Sequence, residues 1–214
     1  MNFVFSEKEK EQIKEAVQAL ESESSGEVVP FFVSGSDSYD EAKWISSLIL
    51  TVLGVIFVGG LAYFWLLPSG TNTLMVMTYL FVSAIFGFLA PIVFPTLGSF
   101  LISDAVMEKR VRQRAFQAFL NEEVFMTIDR TGILIFISAY ENKVVVLADS
   151  GINAKVQESD WDHIVQIVVK SIKEERLAEG ITEAINECKK LLLDNGFVVR
   201  SDDTNELPDD IRIG

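Results

Sequence analysis

A chain of 214 residues has room for one ordinary domain and something more. Its 31 acidic against 18 basic residues, a formal net charge of −13, argue against nucleic acid as a partner, because phosphate binding needs a basic footprint. A single cysteine, Cys188, and a single histidine, His163, exclude a disulfide framework, a cysteine metal cluster and histidine-rich zinc chemistry.

Ser6 followed by Glu9 is a capping-box pattern, and Ile13, Ala16, Val17 and Leu20 share one helical face. The spacing predicts a helix over 6–24, closed by Ser25-Gly26. The run "EVVPFFV", 27–33, reads as a strand in which Pro30 removes a ladder donor and points to an edge position or a bulge. A polar stretch, "SGSDSYDEAK", then leads into a very different segment.

From Trp44 to Ser103 there is no Asp, Glu, Lys or Arg, in a chain otherwise dense in charge. Leu48 to Leu67 and Leu74 to Phe94 each match the length that crosses a ~30 Å hydrocarbon core as a helix. Between them "PSGTNT", 68–73, is a turn. Buried core helices are the competing explanation, but such helices usually carry a charged residue on an outward face. Trp44 at one end of the first run, and Tyr63 and Trp65 near the other, suit interfacial anchors. The expected element is a transmembrane hairpin over 44–103. It is not a cleaved signal peptide, since the runs begin late and "MNFVFSEKEKEQ" has no apolar core. A hairpin returns the chain to the side it left. Lys43, Lys109, Arg110, Arg112 and Arg114 flank that side and the turn carries no basic residue, so the soluble part is expected at the cytoplasmic face of the inner membrane.

Beyond the hairpin, "DAVMEKRVRQRAFQAFL", 104–120, reads as a helix with Val111, Ala115, Phe116 and Phe119 among basic residues. Lys109, Arg110, Arg112 and Arg114 suit either a solvated helix face or contact with lipid head groups. Ile133 to Ser138 and Val144 to Ala148 are apolar on both faces, a pattern of central strands covered by helices on both sides. Trp161, Ile164, Val165, Val168 and Ile172 form one helical stripe, and Ile181, Ala184, Ile185, Cys188 and Leu192 another. Cys188 in that stripe reads as a packed thiol. Neither soluble piece has enough core alone, so 1–43 and 104–200 are expected to build one α/β domain. The hairpin is then an insertion after the first strand, and 201–214 an acidic, extended tail.

The blocks "FSEKEKEQIKEAVQALESESSGEVVPFFV", "DRTGILIFISAYENKVVVLADSGINAKV", a Trp-led helix and "NELPDDI" resemble the TPM-domain family. The likeness is closest to its bacterial branch with an inserted membrane hairpin, and it covers 1–33 and 104–210. The resemblance implies a three-layer α/β/α domain, in agreement with the reading of the strands. Members include thylakoid-lumen proteins linked to photosystem repair and acid phosphatase activity, and auxiliary subunits of membrane receptors. Some bind divalent cations through carboxylates near strand ends. The family supplies no strong catalytic motif to carry over.

Several residues could carry chemistry. Asp149 lies at the end of a strand, where α/β sheets tend to place ligands, and Asp160 and Asp162 follow closely. Together they suit a weak Ca²⁺ or Mg²⁺ site. They equally suit a turn and a capping box opening the Trp161 helix. Asp129 and Arg130 open the strand pair, and Arg130 falls on the same side as Asp149, for an anion or, more simply, a salt bridge. His163 has no partner motif and reads as a surface residue. Ser83 and Gly87, at helical small-residue spacing, suit helix packing and self-association. No ionisable residue lies inside the hairpin, so transport is not supported. Two functions remain: a membrane-anchored interaction or assembly module without catalysis, partnered by lipid and a membrane protein or a second copy, or a cation-dependent phosphatase or other hydrolase.

Overall fold

The computed structural model describes residues 5–199 and 205–214. The chain forms two compact units: Met1–Asp37 together with Glu108–Gly214, and Ser38–Met107.

In the first unit, α1 (Glu7–Glu21) begins at the capping box, where the Ser6 hydroxyl accepts from the Glu9 N–H at 3.3 Å and the Glu9 carboxylate accepts from the Ser6 N–H at 2.7 Å. It buries Ile13, Ala16, Val17 and Leu20. Strand β1 (Glu27–Val33) pairs in parallel with β2 (Gly132–Ser138), and β2 pairs antiparallel with β3 (Lys143–Ala148). A parallel pair needs a long crossover. Helix α5 (Asp104–Asn121) lies in that crossover, and the hairpin is spliced into the chain ahead of it. The described sheet has four strands in the order β3-β2-β1-β4, where β4 is Arg212–Ile213.

Alternation along β2 serves both faces. Ile133, Ile135 and Ile137 enter one core with α1, α7 (Asp162–Lys173) and α8 (Leu177–Asp194). Leu134 and Phe136 enter the other with Val111, Ala115 and Ala118 of α5. The architecture is thus α/β/α in three layers, the fold class that the strand pattern predicts.

Three details differ from the sequence expectation. Strand β3 is not central but the sheet's edge, half-exposed along most of its length. Strand β1 is not an edge, yet Pro30 is explained: Phe32 C=O accepts from Gly214 N–H on the β4 side, so Pro30, two residues earlier, faces the same way. β4 pairs only Phe31 and Phe32, so the missing Pro30 donor falls outside the ladder. Third, the end of the acidic tail joins the sheet as β4; residues 201–204 of that tail lie outside the described residues.

The second unit holds α2 (Asp40–Tyr63) and α3 (Thr73–Val93), with α4 (Pro95–Leu101) following. Helix α2 starts eight residues before the apolar run of the sequence reading, from 48 back to 40, and stops at Tyr63, leaving Trp65 in the connecting turn with φ of 58°. Both helices are long and apolar enough to span a membrane, and only 11% of each apolar window is buried. Small residues make the seam between them. A Cβ on Gly87 would lie 2.7 Å from Ser47 Cα and 2.8 Å from Ser46 O, and one on Gly54 would touch Leu80 and Ser83 at 3.3 Å. The Ser47 hydroxyl donates to Ala84 O at 2.9 Å. Ser83 and Gly87 therefore serve packing within one hairpin.

Candidate functional site

The two ends of the sheet carry different polar clusters. At one end, the antiparallel β2–β3 pair brings Arg130, just before β2, beside Asp149, just after β3. Asp149 caps the short helix α6 (Ser150–Asn153): its Oδ1 accepts from Ser150 N–H at 2.6 Å and from Arg130 Nη2 at 3.0 Å. Its buried Oδ2 lies 2.7 Å from Arg130 Nε, a charge contact without a well-aligned hydrogen bond. Asp149 is 6% exposed, and the Arg130 guanidinium also lies over the Phe125 ring at 5.8 Å. Gly151 is obligatory there, because a Cβ would sit 2.3 Å from Asp129 O.

The other predicted ligands lie elsewhere. Asp160 turns inward on its own segment, its Oδ2 accepting from Gln157 N–H at 2.8 Å. Asp162 and His163 are exposed on the first turn of α7, and Asp129 is exposed beside Arg130. Among the described residues no group of three His, Cys, Asp or Glu side chains is placed to hold a metal ion.

The rule that ligands sit at carboxyl ends applies to parallel strands. Strand β3 runs antiparallel, so Asp149 sits at the amino end of β1 and β2. Their carboxyl ends hold a cluster that the sequence reading missed. Ser138 is fully buried at the end of β2 and donates a short hydrogen bond to Glu141 Oε2. Ser36 shares a 2.8 Å hydroxyl contact with Ser138, and its N–H donates to Glu141 Oε1 at 2.9 Å. Asp37 meets Arg110 of α5 at 3.1 Å. Burial, and then the charge of Glu141, hold the neighbouring Tyr140 phenol above its ordinary pKa. Both oxygens of Glu141 are engaged, so the carboxylate locks the loop after β1 to the β2–β3 turn. The only sequence signal was a serine three residues before a glutamate in a turn.

The remaining basic residues of α5 diverge. Lys109 and Arg114 are exposed, and Arg112 lies over Phe116 at 5.9 Å. Arg112 also borders a groove of about 460 Å³ along the β3 edge, with Val144, Val146, Trp161 and Val165. In the hairpin unit Trp44, Tyr63 and Trp65 are exposed, Trp44 with an edge contact to Phe88 at 5.1 Å.

Residues 101–191 match the family model described as TPM domain. No curated protein matches the chain. The NMR structure of the BA42 protein from the psychrophilic bacterium Bizionia argentinensis is similar at a TM-score of 0.59 and 17% identity, covering 100% of this chain and 98% of that one. That likeness is one of fold. The match to the TPM-domain model thus falls at residues 101–191, within a three-layer fold that the solved structure shares.

Proposed function

We propose that the protein is a membrane-anchored TPM-domain module for interaction or assembly, its folded domain at the cytoplasmic face. The observation that carries the reading is the surface of the second unit. Phe57, Phe86 and Leu48 are 58%, 65% and 65% exposed on helices without a charged residue across their apolar spans. In water a continuous apolar surface of this kind would aggregate or demand a partner; in lipid it is at rest. The basic residues Lys43, Lys109, Arg112 and Arg114 support the orientation, since such residues collect on the cytoplasmic side. What supports an interaction role is that Asp149 and Glu141 are both committed to holding loops, which suits a rigid scaffold.

Carbonate washing of membranes, followed by thiol labelling of intact cells with an impermeant reagent, tests this. Full-length protein should stay in the membrane pellet. Gly70→Cys, in the turn, should label from outside, and Glu15→Cys, exposed on α1, should not. Release by carbonate removes the anchor; the reverse labelling pattern inverts the orientation.

A further inference from the structure

Two acids, the partly buried Glu21 and the buried Glu27, stand apart from the clusters above. Glu21 ends α1 and Glu27 opens β1, and the two carboxyl-bearing side chains line one pocket. It measures about 260 Å³, and its other polar lining is Gln18, Ser22, Ser24, Asn205 and Asp209, with no basic side chain among the described lining.

The same two acids hold the C-terminal segment down. Glu27 accepts from the N–H groups of Glu206 at 3.3 Å and Leu207 at 3.4 Å. Glu21 accepts from Asn205 Nδ2 at 3.2 Å and from Val28 N–H at 3.3 Å, on the side of β1 that β4 extends. Around them, Gln18 donates to Asp209 at 2.7 Å, Lys14 reaches Asp210 at 3.1 Å, and Arg212 pairs with Glu122 at 3.0 Å. Glu206 accepts from Ile128 N–H at 3.1 Å, and Lys189 of α8 is engaged by Glu23. Lys14, Lys189 and Arg212 are thus each engaged by an acid other than Glu21 and Glu27, and Arg212 donates besides to the Pro208 carbonyl at 3.0 Å.

We propose that residues 205–214 form a proton-dependent latch, docked while Glu21 and Glu27 hold a proton between them and released when both ionise. Two like charges this close in a desolvated site are costly, so the pair retains a proton that separated carboxyls would lose. Burial, then the charge of Glu27, raises Glu21 to about 9; burial also raises Glu27, against the two backbone donors. A carboxyl whose pKa docking raises favours the docked state below its ordinary value of 4.5 and loses that preference as pH climbs toward about 9. Release would leave the backbone groups of Phe32 unpaired on that side and open an edge of β1 to another extended segment.

Amide hydrogen exchange of the full-length protein in detergent micelles with EDTA, corrected for the intrinsic pH dependence, tests the latch. Peptides over 205–214 should lose protection as pH rises from 6 to 9.5, by about tenfold per pH unit at the one-proton limit, while β2 stays protected. Glu21→Gln, which mimics the protonated acid, should keep the tail protected at high pH. A flat wild-type profile, loss of β2 together with the tail, or the same loss in Glu21→Gln would each overturn the proposal. Should Glu21→Gln leave β2 unprotected at every pH, Glu27→Gln is read in its place by the same criterion.

Discussion

The two units of this chain bury opposite things. In the α/β domain the large apolar side chains go inward, with Phe136, Ile133 and Ile185 fully enclosed, while charge covers the outside. In the hairpin helices the large side chains point outward and the enclosed positions include, besides Ala42 and Pro91, Ser46, Gly54, Ser83 and Gly87. Burial of apolar area drives the first arrangement, because water is the alternative surround. With the hairpin in lipid, as proposed above, it could not drive the second, because a phenylalanine gains nothing by leaving one apolar medium for another; close backbone approach would decide instead. Composition therefore locates the hairpin, but its small residues define its seam.

The comparison breaks most easily at phenylalanine. Phe136→Ala empties a site at 0% exposure facing α5 and should cost about 3–5 kcal/mol, read as a lower denaturation midpoint of the domain. Phe57→Ala, at 58% exposure on α2, should leave that midpoint where it was. Equal losses would mean that the hairpin is a water-soluble core element after all.

Glycine sharpens the same contrast one step down. Gly87→Val drives a side chain into the backbone of Ser46 and Ser47 and should weaken the α2–α3 seam by about 1–3 kcal/mol. Gly59→Val meets no described atom within 4 Å and should be silent. Donor and acceptor labels on the two helices, followed through an SDS titration, report the difference. An equal response at both glycines would deny that the seam depends on small residues.

How far the sequence could see depended on how local each feature was. The β-branched runs of β1 and β2, the Ser6–Glu9 cap and the uncharged stretch are each set by neighbouring residues, and all were legible. Strand β3 looked central because Val144–Ala148 is as apolar as β2, but strand position is decided by what pairs beyond it. Strand β4 was invisible: Arg212–Ile213 sits among acidic and turn residues and is a strand only because β1 offers it an edge. The Ser36–Ser138–Glu141 cluster joins residues 102 and 105 positions apart, and only the parallel β1–β2 register brings them together. The tendency to place ligands at strand ends led to Asp149 because the direction of β3 was not yet fixed.

The smallest expected effect separates the remaining roles of Asp149. The hairpin spans avoid charge altogether, whereas the domain buries one at Asp149 by setting Arg130 against it. Arg130 is half-exposed and its contact with Oδ2 is poorly aligned, so solvent screens the pair, and Arg130→Ala should cost only about 1 kcal/mol. Asp149→Asn should cost less, because an amide oxygen still caps Ser150 N–H while the unpaired charge is gone. Placing both changes together should recover most of the Arg130→Ala loss, since the penalty of that variant is the carboxylate left behind. Millimolar Ca²⁺ is the counter-test. With Asp160 turned to Gln157 and Asp149 to Arg130, the melting temperature of the wild type should not move. A rise in the wild type that vanishes in Asp149→Asn would mean that a cation displaces the guanidinium, because only a ligand of the folded state raises its stability. The end of β3 would then be a binding site that the arginine closes.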